Sequence, residues 1–203
     1  NLAKNQNYID LKKIASNVDT LNTGLITLQA TEWIKDSNFK KFTNHFSCKS
    51  ENDILSEFFY LISNLYSSQG KYKKSNFYLN ISNYLNPKFY FNLSLLAENY
   101  FVNKKYGLAE KIYKKFDKKD IIYQWYKNKQ IAKIIEKQKS KESSLSYIEN
   151  KFQSIKNPNI KILFDMANIY KGFREYKKSI KYYSIVLSKL EENSEAYADV
   201  LYR

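Results

Sequence analysis

GKYKKSNFYLNISNYLNP, residues 70–87, sets a glycine, a tyrosine, a small residue and a proline at the offsets a helical hairpin requires. A variant returns at residues 170–194, YKGFREYKKSIKYYSIVLSKLEENS, so the chain is expected to repeat one unit rather than build a single core once. Counting outward from these two stretches gives the period. The small residue of each first helix falls at Ser63, Ala97, Ala132 and Ala167, with spacings of 34, 35 and 35, and that of each second helix at Ser75, Ala109, Ser144 and Ser179 repeats them. Two antiparallel helices approach to roughly 8–10 Å only where the crossing carries a small side chain, so both columns mark crossings. Large residues fill the remaining space. Tyr66, Tyr100, Ile135 and Tyr170 follow the first column by three residues, and Tyr72, Tyr106 and Tyr176 precede the second by three. Leu79, Tyr113, Ile148 and Tyr183 lie one turn beyond the second column on the same face. This aromatic stripe is read as core, and Pro87 and Pro158 as junctions where proline opens the next helix.

Before the clear units the pattern loosens. Residues 1–20 carry Tyr8, Leu11, Ile14, Ala15 and Val18 at helical spacing and are expected to form one amphipathic helix, the second of a hairpin whose first helix is missing. Leu25, Leu28, Gln29, Ala30 and Trp33 predict a helix over 24–34. The turn signal DSN at 36–38 follows, and Phe39, Phe42 and Phe46 begin a second helix. Asn52 or Asp53 is expected to cap the helix after it.

With 43% hydrophobic and 17% aromatic residues but only 4 Gly and 2 Pro in 203, the composition fits an all-helical protein and not a many-turned β fold or a disordered linker. A single cysteine, Cys48, excludes an intramolecular disulfide and leaves the redox compartment open. No run approaches the roughly 20 apolar residues of a membrane-spanning helix. The net charge of +14 is almost all lysine, with Arg only at 174 and 203. Lysine in company with abundant Asn, Ile, Tyr and Phe is what A+T-rich coding produces. Residues 104–141 exceed that background, with 13 Lys against four acids. Such a field steers acidic partners or a polyanion, although the lack of Arg disfavours nucleic acid, whose phosphates and guanines suit the guanidinium fork.

The 34-residue period with its small, aromatic and proline positions resembles the tetratricopeptide repeat. The resemblance is strong in 56–89, 90–124 and 160–194, weaker in 125–159, where Lys141 stands for the turn tyrosine, and weakest in 21–55, where Phe42 takes the second small position. It implies an all-α right-handed superhelix, a single helical-repeat domain over 1–203 with residues 195–203 opening a further unit. The first residue, Asn1, and the closing DVLYR lead to the expectation of a fragment of a longer bacterial multi-repeat protein. In that family the first helices line a concave groove that binds protein or peptide. Carried over position by position, the groove falls on Tyr60 and Asn64, on Phe91, Glu98 and Phe101, on Lys129, Lys133 and Lys137, and on Phe164, Asn168 and Lys171.

Some chaperone-binding members clamp a C-terminal carboxylate with Lys and Asn. Asn64 and Asn168 stand at one clamp position, but Glu98 and Lys133 take it in the units between. Glu98 would repel the carboxylate, so that clamp is not expected. Nor is catalysis. His45 and Cys48 stand three residues apart without an orienting partner, the four glycines are too scattered for a phosphate loop, and no acidic pair has metal-ligand spacing. The expectation is a non-catalytic scaffold for a protein or peptide, without cofactor or metal. The alternatives are polyanion or RNA binding through Lys104–Lys141, or a structural, oligomerising segment of a larger envelope protein.

Overall fold

A computed structural model describes residues 7–45, 50–116 and 120–203. Within them the chain forms twelve helices and no strand: α1 (Tyr8–Ser16), α2 (Leu25–Lys35), α3 (Lys40–His45), α4 (Glu51–Ser68), α5 (Tyr72–Leu85), α6 (Phe91–Val102), α7 (Tyr106–Tyr113), α8 (Ile121–Gln138), α9 (Lys141–Gln153), α10 (Ile160–Gly172), α11 (Tyr176–Leu187) and α12 (Glu195–Leu201). The counted period sets where the second helices begin. Tyr72, Tyr106, Lys141 and Tyr176 are the first residues of α5, α7, α9 and α11, so Lys141 keeps the register of the tyrosine it replaces.

All eight small-column residues are buried, from Ser63, Ser75, Ala97, Ala109 and Ala167 at 0% exposure to Ala132 at 7%. Leu79, Tyr113, Ile148 and Tyr183 are buried as well. Between α10 and α11 the two columns meet, the Ser179 hydroxyl donating to the Ala167 carbonyl at 3.0 Å. Tyr176 is the exception to the core reading, standing 58% exposed on the first turn of α11.

One closing turn serves three of the hairpins and the α2–α3 connection. Lys71 N–H donates to the Tyr66 carbonyl at 2.9 Å, Lys105 to Tyr100 at 2.8 Å, Glu175 to Tyr170 at 2.9 Å and Asn38 to Trp33 at 2.8 Å. Each bond satisfies a carbonyl orphaned at a helix end, and each requires a left-handed residue just before the donor. Gly70 supplies it at φ 71°, but Ser37, Lys104 and Arg174 adopt 55°, 57° and 64° with side chains attached. The α8–α9 connection departs from this. Ser140 is extended there, and its hydroxyl accepts from Ser143 N–H.

The helices fall into two compact units, Asn1–Asn17 with Leu25–Ile134, and Val18–Gly24 with Ile135–Arg203. In the first, α4 packs on α5, α6 on α7 and α5 on α6. A buried polar seam joins α4, α5 and α6. Asn99 donates to Ser75 Oγ and Asn76 Oδ1, each at 2.8 Å, and accepts from Ser67 Oγ at 2.6 Å. Seven residues earlier on the same helix face, Asn92 accepts from Ser82 Oγ at 2.8 Å, and Ser56 Oγ donates to the Ser82 carbonyl at 2.8 Å. In the second unit α10 packs on α11 and α11 on α12. Leu21 is buried there, and the Lys161 ammonium binds both its carbonyl and Asp165.

An aromatic device recurs in both units. Tyr66 stacks on Tyr78 at 5.7 Å with Lys74 over the Tyr66 ring, and Tyr170 stacks on Tyr182 at 5.5 Å with Lys178 over Tyr170. All three members are displaced by 104 residues, the sum of the three periods.

Local chemistry moves several expected boundaries. The first helix is shorter than 1–20, since Asp19 turns the chain by accepting from Leu21 N–H at 2.8 Å, and residues 1–6 lie outside the described ones. Ser50 caps α4 in place of Asn52 or Asp53, its hydroxyl accepting from Asp53 N–H. Neither proline opens a helix. Pro87 lies between α5 and the Tyr90 cap of α6, and Pro158 precedes Asn159, whose side-chain oxygen accepts from Ile162 N–H. Phe46 and Cys48 lie outside the described residues, and of His45 only the backbone is described.

Candidate functional site

Three first helices of the first unit present neighbouring side chains. Tyr60 on α4 packs edge-on against Phe89 at 5.4 Å. Tyr126, on α8, donates its hydroxyl to Glu98 Oε1 on α6 at 3.3 Å. The Tyr113 and Tyr126 rings meet at 6.1 Å. Glu98 thus sits among three phenols, with Lys133 close enough to act on its charge. Its residue surface remains exposed, yet the surrounding rings withdraw water from the carboxyl. Desolvation raises its pKa, opposed by the Tyr126 hydrogen bond and the Lys133 ammonium. The same crowding, together with the Glu98 charge, pushes Tyr60, Tyr113 and Tyr126 above the ordinary phenol value.

Of the eleven residues expected in the groove, Tyr60, Glu98 and Lys133 are linked through the Glu98 carboxyl, whose charge acts on the Tyr60 phenol and is acted on by the Lys133 ammonium. Asn64, one turn beyond Tyr60, is exposed, and Lys129 precedes Lys133 by one turn of α8. Phe101 packs edge-on against Tyr106 of its own hairpin at 5.4 Å. Phe91 meets Phe89 at 5.3 Å and lines a cavity shared with α2 and α3. Lys137 is exposed in the last turn of α8.

Phe164, Asn168 and Lys171 form a separate set in the second unit, gathered by Arg203. The guanidinium lies over the Phe164 ring at 5.1 Å and reaches Asn168 Oδ1 at 3.5 Å, while Lys171 Nζ donates to the Arg203 carbonyl at 2.8 Å. Phe164 is only 2% exposed, and the Lys161 ammonium also lies over its ring, at 5.5 Å. Asn168 accepts from the Tyr183 hydroxyl at 2.7 Å.

Several features escape the sequence reading. Tyr113 and Tyr126 are legible as packing, but where their hydroxyls end, around Glu98, depends on three helices at once. A pocket of about 420 Å³ in the first unit is lined by Lys71, Lys73, Lys74 and Lys105 along with Tyr100 and Asn103. Only Lys105 belongs to the basic stretch singled out at 104–141. Among the described residues no group of His, Cys, Asp and Glu could hold a metal ion, and no helix is long and apolar enough to cross a membrane. Compared with known proteins, the chain matches no family model and no curated protein.

Proposed function

We propose that the chain is a non-catalytic scaffold, a right-handed superhelical array of tetratricopeptide-like hairpins that docks a protein or peptide segment on its first helices. The row Tyr60, Glu98 and Lys133, drawn from α4, α6 and α8, carries this reading. It combines an aromatic floor, an acceptor and a cation within one surface, the mixture an extended or helical segment uses for apolar anchoring and directional bonding. A matching partner brings an apolar side chain to Tyr60 and Phe89, a donor to Glu98 and an acid to Lys133. The recurrence of the hairpin register and of the Lys–Tyr–Tyr stack supports the repeat assignment.

Photo-crosslinking tests it. A crosslinking residue at Asn64 or Lys133 is expected to capture the same protein from an extract of the source cells, whereas one at Tyr84, 86% exposed on α5, captures none of it. Equal capture at all three positions, or none at any, refutes the docking face. Adducts that nuclease destroys would favour the polyanion reading instead, with the lysine-lined pocket as its contact.

A further inference from the structure

The first unit holds a second concavity, apart from the Glu98 row. It has a volume of about 280 Å³ and is lined by residues of α2, α3 and α8 and of the segment that leads into α6, among them Gln29, Ala30, Trp33, Phe42 and Lys88. Two aromatic pairs form its walls. Trp33 meets Phe42 edge-on at 5.4 Å, and Phe89 meets Phe91 at 5.3 Å. Set into this apolar lining is Gln29, only 2% exposed, whose Oε1 is buried with no hydrogen-bond donor among the described residues. A buried acceptor without a donor is costly and calls for an explanation. The volume falls just below the range of about 300–1,000 Å³ typical of small-molecule sites, enough for a flat bicyclic ring. At the mouth stands the exposed ammonium-bearing Lys88.

We propose that this cavity binds a small planar aromatic molecule with one N–H or O–H donor on its ring and an anionic group on a short arm. An indole or phenol carboxylate is of this class. The ring lies between the Trp33–Phe42 and Phe89–Phe91 pairs, a turn of the Gln29 amide brings Oε1 to its donor, and its carboxylate faces Lys88. The site shares the Phe89 ring with the docking row but is read by its own probes, so crosslinking at Asn64 and Lys133 neither supports nor weakens it.

The test titrates indole-3-acetate and its N-methyl analogue, which lacks the donor, into the whole chain, with binding read by ligand-observed saturation-transfer NMR. Indole-3-acetate is expected to bind about fivefold more tightly, the worth of one hydrogen bond to a buried acceptor. Gln29→Met, which keeps the volume and removes the acceptor, should bring that ratio close to one. Lys88→Ala should weaken both probes alike, by about two- to fivefold as for an exposed ion pair. Ala30→Phe should abolish both by filling the cavity, with folding checked by circular dichroism. Failure of both probes to bind at millimolar concentration overturns the proposal. So does a ratio that Gln29→Met leaves unchanged, and an unaltered affinity in Lys88→Ala rejects the anionic arm.

Discussion

Replacing Asn99 by alanine tests whether the α5–α6 contact depends on its polar seam. The side chain is 1% exposed and makes three hydrogen bonds, to Ser75, Asn76 and Ser67. At about 1 kcal/mol net for each bond, truncation costs about 3 kcal/mol, and it strands Ser75 Oγ on a residue with no exposed surface. For a chain of this length that corresponds to a fall in Tm of roughly 6–12 °C. Both tryptophans, Trp33 and Trp125, belong to the unit that contains Asn99, so their fluorescence during urea unfolding reports on the correct unit. Asn64→Ala, an exposed asparagine of α4, is the control and should stay within about 0.5 kcal/mol of the parent. A double-mutant cycle with Ser75→Ala should return a coupling of about 1 kcal/mol. The reasoning fails if Asn99→Ala costs less than about 1 kcal/mol, or if the cycle returns additive losses.

The left-handed turns give a prediction of opposite sign. Lys104→Gly and Arg174→Gly should each stabilise by about 0.5–1 kcal/mol, the relief of left-handed strain less the added backbone entropy of glycine, whereas Gly70→Ala should destabilise by about 1 kcal/mol although its Cβ meets nothing within 4 Å. Thermal melts of the three variants check the signs, and a loss on either glycine substitution refutes the strain argument. The Glu98 cluster predicts how stability follows pH. A carboxyl whose folded pKa is raised contributes stability below its ordinary value of 4.5 and loses that contribution as pH rises. Glu98→Gln should therefore gain stability at pH 7, with the gain vanishing below about pH 4. Raised phenols follow the same rule, so the parent should weaken above about pH 10, and less steeply in Tyr126→Phe. Urea midpoints across pH measure both effects, and a constant Glu98→Gln difference from pH 3 to pH 8 contradicts the assigned cause.

Much of the scaffold is legible in the sequence because helix crossing is a local steric demand. A small residue at Ala97 or Ser179 and a large one a turn away leave a periodic trace without knowledge of any partner. The turns are half legible. Gly70 announces its left-handed backbone, but Lys104 and Arg174 hide the same conformation behind side chains that read as solvent-facing. Asparagine misleads in the other direction. Asn92 and Asn99 look like surface residues, and the serines of α4 and α5, up to 36 residues away in the chain, together with Asn76, make their burial affordable. For the proposed docking face, register brings Tyr60, Glu98 and Lys133 to one side without an alignment. It does not foretell that Phe164, already under Lys161 of its own helix, is closed over by Arg203 from a distant part of the sequence. The Gln29 cavity is less visible still, since its walls come from four helices and its signal is the absence of a donor.

The left-handed turns also bear on how the molecule responds to heat. Ser37, Lys104 and Arg174 each hold a conformation costing roughly 1–2 kcal/mol for a residue with a side chain, so about 2–4 kcal/mol is stored at the closures of the first unit and about 1–2 kcal/mol at that of the second. A whole domain has a margin of only about 5–15 kcal/mol. Warming should therefore release the closures before the crossings, each pair splaying at its tip while Ala97 or Ala167 still holds its middle, and hydrogen exchange should be fastest at the amides of Lys105 and Glu175.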